Sequence, residues 1–200
     1  MREQARHRAR LPHRRGPVAL ATRLVHLNGP PGIGKSTIAA AYARARPGTL
    51  VLDVDVIRAE RPDWRASPIE AGLWARDVAL ARARGQLLVG CDVVVAQYVA
   101  RPAFLEGLTA TAAETAAAFH ELCLIDTRDC ALARFVVRGT DPSMAAHHQD
   151  CVEQAGGLEG IAVMYDELVA FLATRPDVVR IPTEAGEERG ALAAVLTATA

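Results

Sequence analysis

Along this chain, short continuous apolar runs alternate with longer stretches in which small apolar residues recur among polar ones. The first run, Leu24-Val25-His26-Leu27-Asn28, predicts a strand buried on both faces. Gly29-Pro30-Pro31-Gly32-Ile33-Gly34 must then be a loop. Ser36 to Arg46 is an Ala-rich helix stopped by Pro47-Gly48. Leu50 to Asp55 predicts a second strand with carboxylates at its end, and Val93-Val94-Val95-Ala96 a third. Between them, 58–68 is polar and irregular, and 69–84 is a helix ended by Gly85. Pro102 opens a helix reaching about Ala118, Leu122 to Ile125 is a fourth strand, and 129–138 is helical. Residues 139–157, with Pro142 and the Gly156-Gly157 pair, read as loop. A helix over 158–174, a strand over 178–181 and a short helix over 190–197 complete the order.

Alternation of this kind predicts an α/β fold: a five-stranded parallel sheet with helices on both faces. Ligands bind beyond the carboxyl ends of such strands. The polar residues after strands one to four should therefore meet in one cleft.

Composition narrows the class. The chain has 200 residues, half of them hydrophobic and 23% charged, which excludes disorder over the whole length. No run of eighteen apolar residues and no secretory apolar core is present. Cys91, Cys123, Cys130 and Cys151 form no CxxC pair and have no histidine at zinc-finger spacing. A soluble cytoplasmic protein with reduced thiols is expected, with Cys91, Cys123 and Cys130 as small core residues. The zero net charge conceals an asymmetry: residues 1–23 hold seven arginines against one glutamate, or +6, and the remainder carries −6. Residues 1–22 are therefore read as a disordered basic extension and 23–200 as the folded domain. The acidic body argues against nucleic-acid binding, and the basic extension is its one support. The oligomeric state leaves no mark in the sequence. The chain has one lysine, Lys35, among twenty-two arginines.

Gly29-Pro30-Pro31-Gly32-Ile33-Gly34-Lys35-Ser36 fits GxxxxGK[ST], between a strand and a helix as that motif requires. Backbone N–H groups of such a loop turn inward on phosphate oxygens, and the helix N-terminus adds positive potential. Lys35 can reach the β and γ phosphates of ATP, the Ser36 hydroxyl can ligate Mg²⁺, and Thr37 completes the nucleotide-binding stretch. Asp53 and Asp55, two apart on the expected strand, share one face beside this loop. A carboxylate there can take a proton from an attacking hydroxyl or hold a water on Mg²⁺. Asp55 is the expected base, and Asp53 serves metal or structure. Arg58 can clamp a substrate anion or the γ-phosphate, or simply pair with an Asp cap.

The phosphate loop followed by DVDVIRAERP at 53–62 resembles small P-loop kinases of the AAA-type ATPase and kinase group, of the chloramphenicol phosphotransferase and zeta-toxin type. The resemblance spans roughly residues 22–182 in layout and implies a kinase that phosphorylates a small-molecule hydroxyl, with Asp55 as the base. In the phosphotransferase type an RxxxRG stretch opens a mobile lid and places arginines on the donor phosphates. Arg134 and Arg138-Gly139 repeat that spacing. Read without the resemblance, the same arginines form a solvated face pairing with Asp129 or Asp141.

One position departs from the P-loop pattern. The third strand ends in Gln97 where an aspartate usually stands, leaving Ser36, Asp53 or Asp55 and the phosphates to hold metal. Gln97 with Tyr98 and Arg101 can instead read the acceptor. This departure keeps a second reading open, an ATP-binding protein that does not turn over, beside a nucleic-acid-end kinase. Asp92 stands at the wrong end of its strand to reach the cleft, and Arg128 can flank the adenine. His147-His148 with Asp150 and Cys151 are expected in a solvent-facing lid, since adjacent helical residues point about 100° apart and do not share one ion. Trp64 either packs or covers the acceptor pocket.

Overall fold

β1 (Arg23–Asn28) runs through the middle of a five-stranded parallel sheet. It pairs with β3 (Val93–Ala96) on one side and β4 (Ala118–Ile125) on the other. β2 (Leu50–Asp53) and β5 (Val179–Pro182) form the edges, giving the order β2-β3-β1-β4-β5. The computed structural model describes residues 21–200, so most of the basic extension read over 1–22 lies outside the described residues.

Each sheet face carries its own core. Alternate residues of the strands divide between them, Leu24, Val93 and Val95 on one face and Val25, Leu27 and Val94 on the other. On the first face lie α3 (Pro68–Leu88) and α4 (Pro102–Glu114). Ala71, Ala75, Ala79 and Ala83 recur every four residues along α3 and are fully buried, which lets the helix lie close to the sheet. This stripe continues to Leu87. Gly85 therefore sits inside the helix rather than ending it, because burial along the stripe outweighs the cost of about 1 kcal/mol for a helical glycine. On the second face lie α1 (Lys35–Ala45) and α8 (Glu188–Ala198). α5 (Arg128–Arg138), α6 (Ala145–Ala155) and α7 (Leu158–Ala173) follow β4.

Three local expectations change. β2 stops at Asp53, and Val54–Arg58 is a short helix, α2. Asp53 caps it: Oδ1 accepts from the N–H groups of Asp55 at 3.0 Å and Val56 at 3.4 Å. Asp53 and Asp55 therefore do not share a strand face. Residues 145–155 form α6 rather than loop, with Gly156 in the left-handed region as its C-cap (φ +78°). The glycine pair is thus the stop of a helix, and Pro142 precedes its start. Finally, α4 ends at Glu114 and β4 begins at Ala118, four residues earlier than its most apolar stretch.

Asp92 lies at the amino edge of the sheet, where Oδ1 accepts from the Arg23 N–H at 2.8 Å, far from the strand ends that build the site. The four cysteines are free. Cys123 is buried and Cys91 half-buried, but Cys130 is exposed in the first turn of α5 and is not a core residue. Among the described residues no helix is long and apolar enough to cross a membrane.

Candidate active site

The phosphate loop leaves β1 through Asn28, which is completely buried and fully occupied. Its Oδ1 accepts from the N–H groups of Gly29 at 2.8 Å and Val99 at 2.9 Å, and its Nδ2 donates to the Val99 carbonyl at 2.8 Å. One side chain thus ties the start of the loop to the segment after β3 and fixes Gln97-Tyr98 beside it. The turn needs its glycines. A Cβ on Gly29 would stand 2.6 Å from the Leu124 carbonyl oxygen, and one on Gly32 (φ +79°) would stand 2.8 Å from the Phe135 Cα.

Lys35 opens α1 and folds back over the loop, its Nζ donating to the carbonyls of Gly29 at 2.9 Å and Pro30 at 3.0 Å. Burial lowers its pKa, opposed by the carboxylates of Asp55 and Asp53. The Ser36 hydroxyl, beside it, donates to Asp53 Oδ2 at 2.8 Å. Two hard oxygens meeting next to a phosphate loop suit Mg²⁺, which takes one or two protein oxygens and completes its shell with water and substrate phosphates. Thr37 is exposed and does not face the cavity.

Asp55 stands in the first turn of α2 and pairs with Arg58 at 3.2 Å. Arg58 also donates to Gln154 Oε1 of α6 at 2.6 Å and stacks on Trp64, 4.8 Å from the ring centroid. Arg65 covers the same ring at 4.2 Å and binds Asp150 of α6 through both carboxylate oxygens. Trp64 is 7% exposed, so it packs as the platform on which the two arginines reach α6.

Arg134 and Arg138 of α5 make different contacts. Arg134 is spent on the protein: its guanidinium donates to the Ile33 carbonyl at 3.0 Å and the Thr183 carbonyl at 3.0 Å, and lies 3.4 Å from Asp126. It braces the phosphate loop from behind. Its acidic partner is Asp126, not Asp129 or Asp141. Arg138 faces the cavity, and among the described residues its one hydrogen-bond partner is the Met144 sulfur at 3.9 Å. Arg128 is exposed and bound to Asp166. Arg101 caps α4 at the surface and does not line the cavity, whereas Gln97 does.

These parts enclose one cavity of about 480 Å³. Gly32, Lys35 and Ser36 line it together with Asp53, Asp55 and Arg58, so the carboxyl ends of β1, β2 and β3 converge as the topology requires. The sequence reading missed Arg76 of α3, which carries no motif, and His147, His148, Cys151 and Gln154, which reach the cavity because α6 is a helix. His148 is not solvent-facing. Its ring stacks on Phe135 with centroids 4.4 Å apart, and its Nε2 is buried with no hydrogen-bond partner among the described residues. Cys151 lies 3.6 Å from His147 Nε2, and burial pushes its thiol up to about 11, so it is protonated at neutral pH and not poised as a nucleophile. Among the described residues no group of three or more His, Cys, Asp or Glu side chains gathers as a metal cluster.

A family model described as an AAA domain matches residues 24–152, which covers the phosphate loop, the carboxylates and the first half of the lid. The chain belongs to the AAA domain family. Curated proteins give no match to its sequence. Solved structures give many at the level of fold. A sugar kinase from Janibacter sp. HTCC2649 superposes with a TM-score of 0.60 at 16% identity, over 89% of this chain and 94% of that one. A gluconokinase from Sinorhizobium meliloti 1021 gives 0.57 at 14% identity, over 88% and 93%. The tunicamycin resistance protein of Deinococcus radiodurans gives 0.51 at 18% identity, over 88% and 95%. At such identities the likeness establishes the fold, over 88–89% of this chain.

Proposed function

We propose that this AAA domain is an ATP-dependent kinase that transfers the γ-phosphoryl group to a hydroxyl of a small-molecule acceptor. One observation carries the reading: the phosphate loop and the Asp53–Asp55–Arg58 segment line the same cavity and meet at the 2.8 Å hydrogen bond between Ser36 and Asp53. The loop N–H groups and Lys35 hold the donor phosphates. Ser36 and Asp53 would hold Mg²⁺, which when bound neutralises phosphate charge. Asp55 accepts the acceptor's hydroxyl proton as the acceptor oxygen bonds to the γ-phosphorus. The bond from that phosphorus to the β–γ bridging oxygen breaks, and ADP leaves with the electron pair. Lys35 and Arg138 stabilise the charge that gathers on the transferred group. The ion pair to Arg58 holds the Asp55 carboxylate in place. α6, latched by Arg58–Gln154 and Arg65–Asp150, covers the cavity and excludes water.

Two of the neighbouring structures are named as a sugar kinase and a gluconokinase, which favours a polyhydroxylated acceptor. A second reading, ATP binding without turnover, is favoured by Gln97, an uncharged residue facing the cavity where a metal-holding carboxylate would strengthen Mg²⁺ binding. ADP release from Mg²⁺-ATP, measured against a panel of sugars, sugar acids and hydroxylated antibiotics, separates the two. Acceptor-dependent ADP formation supports the kinase. Nucleotide binding without ADP formation for any acceptor supports the second reading.

A further inference from the structure

Of the cations around the cavity, Lys35 rests on the loop carbonyls and Arg138 stands beside the loop with Phe135. Arg76 belongs to neither group. It projects from α3, whose Ala75 and Ala79 pack on the sheet face opposite to α1, so it enters from the side of α2 and Gln97. It is half-buried, yet among the described residues no hydrogen bond or ion pair engages its guanidinium. Its guanidinium stands over the Phe104 ring, 5.9 Å from the centroid. Neighbouring arginines differ: Arg61, Arg65, Arg82 and Arg84 are each tied to a carboxylate. Arg58, which lines the same cavity, keeps a buried Nε with no hydrogen-bond partner among the described residues. The cavity therefore holds two guanidiniums with spare donors beside two carboxylates that are already engaged, Asp53 by Ser36 and the α2 N–H groups and Asp55 by Arg58.

A half-buried guanidinium with no counter-ion bears a desolvation cost that an anionic ligand would offset. We propose that Arg76 and Arg58 form an anion subsite, and that the acceptor is a hydroxylated small molecule bearing a carboxylate or phosphate group. The assignment of this ligand as acceptor rests on the kinase reading; the anion binding itself does not. The planar fork of each arginine suits either anion, and a bound anion here would hold the acceptor by its charged end with a hydroxyl near Asp55.

The test uses the full chain with its donor site filled by Mg²⁺ and a non-hydrolysable ATP analogue. Gluconate, glucose 6-phosphate and glucose are titrated calorimetrically, and gluconate is repeated without nucleotide. At least one anion should bind roughly 10-fold or more tightly than glucose. Arg76→Gln should weaken that anion by roughly 10- to 100-fold, Arg76→Lys by less, and Arg44→Gln, an exposed charge on α1, not at all. Preference for gluconate assigns a carboxylate, and preference for glucose 6-phosphate assigns a phosphate. Equal binding of glucose, no binding of either anion, or full anion affinity in Arg76→Gln overturns the subsite while leaving the kinase reading standing. Failure of the unmutated chain to bind the analogue overturns the kinase reading, and the nucleotide-free gluconate titration then still reads the subsite.

Discussion

Ser36 Oγ and Asp53 Oδ2 lie 2.8 Å apart, which joins the first turn of α1 to the end of β2 across the mouth of the phosphate loop. The other oxygen of the same carboxylate caps α2 and accepts from the N–H of Asp55 in its first turn. One aspartate thus arranges both the edge proposed to hold Mg²⁺ and the position of the proposed base.

That arrangement separates two conservative mutants. Asp53→Asn keeps a good helix cap, so the fold should survive, but it removes the charge beside Ser36. Its transfer rate should fall and be partly restored by raised Mg²⁺, since a weakened site fills by mass action. Asp55→Asn should lose roughly 10²- to 10⁴-fold in transfer rate with no rescue by Mg²⁺. Rates measured against Mg²⁺ concentration for both mutants check this, and exchanged behaviour would exchange the roles.

Arg134 and Arg138, four residues apart on α5, should also part company. Arg134→Ala leaves the Ile33 and Thr183 carbonyls without their donor and should cost about 1–3 kcal/mol in stability, with weaker ATP binding as the loop loosens. Arg138→Ala breaks no strong contact and should leave the melting temperature unchanged while lowering the transfer rate by roughly 10- to 10³-fold. Thermal unfolding alongside steady-state kinetics distinguishes them.

How much of this was visible in the sequence follows physical lines. The phosphate loop and the five strands were legible because their signals are local: a fixed glycine spacing, and short apolar runs, longest in the covered central strands β1 and β3. Asp55 was placed on the strand because Leu50 to Asp55 alternates smoothly, and the cap made by Asp53 is a backbone event with no periodic trace. α6 was hidden by the Pro142 and Gly156-Gly157 punctuation, which bounds a helix as readily as it breaks one. Arg134 and Arg138 shared a spacing, but their division of labour depends on which carbonyls α5 meets across the fold. Asn28 and Arg76 were invisible for the same reason: the partners of Asn28 in the segment after β3 and the cavity that Arg76 faces are set by strand order, not by neighbours in the chain.

His26 supplies a pH dependence. It is completely buried on β1, its Nε2–H donating to the Gln97 carbonyl at 3.1 Å, and burial lowers its pKa from 6.5 to about 4. The folded protein therefore keeps the ring neutral where the unfolded chain takes up a proton. The associated stability is present above about pH 6.5 and is lost as pH falls toward about 4, a total of about 3 kcal/mol from this site. Denaturant unfolding at pH 7.5, 6 and 5 should show this loss, and His26→Leu should show a shallower pH slope even if its stability is lower throughout. Equal slopes would remove His26 as the cause.

Transfer of radiolabelled γ-phosphoryl from Mg²⁺-ATP into an acceptor panel, compared in the unmutated chain, Lys35→Ala and Asp55→Asn, decides whether one cavity serves both donor and acceptor. The unmutated chain should yield a phosphorylated acceptor. Lys35→Ala should lose transfer together with nucleotide affinity, and Asp55→Asn should lose transfer while binding ATP nearly as before. Transfer that persists in Asp55→Asn, or nucleotide affinity and activity both unchanged in Lys35→Ala, would contradict the assignment of this cavity as a kinase site.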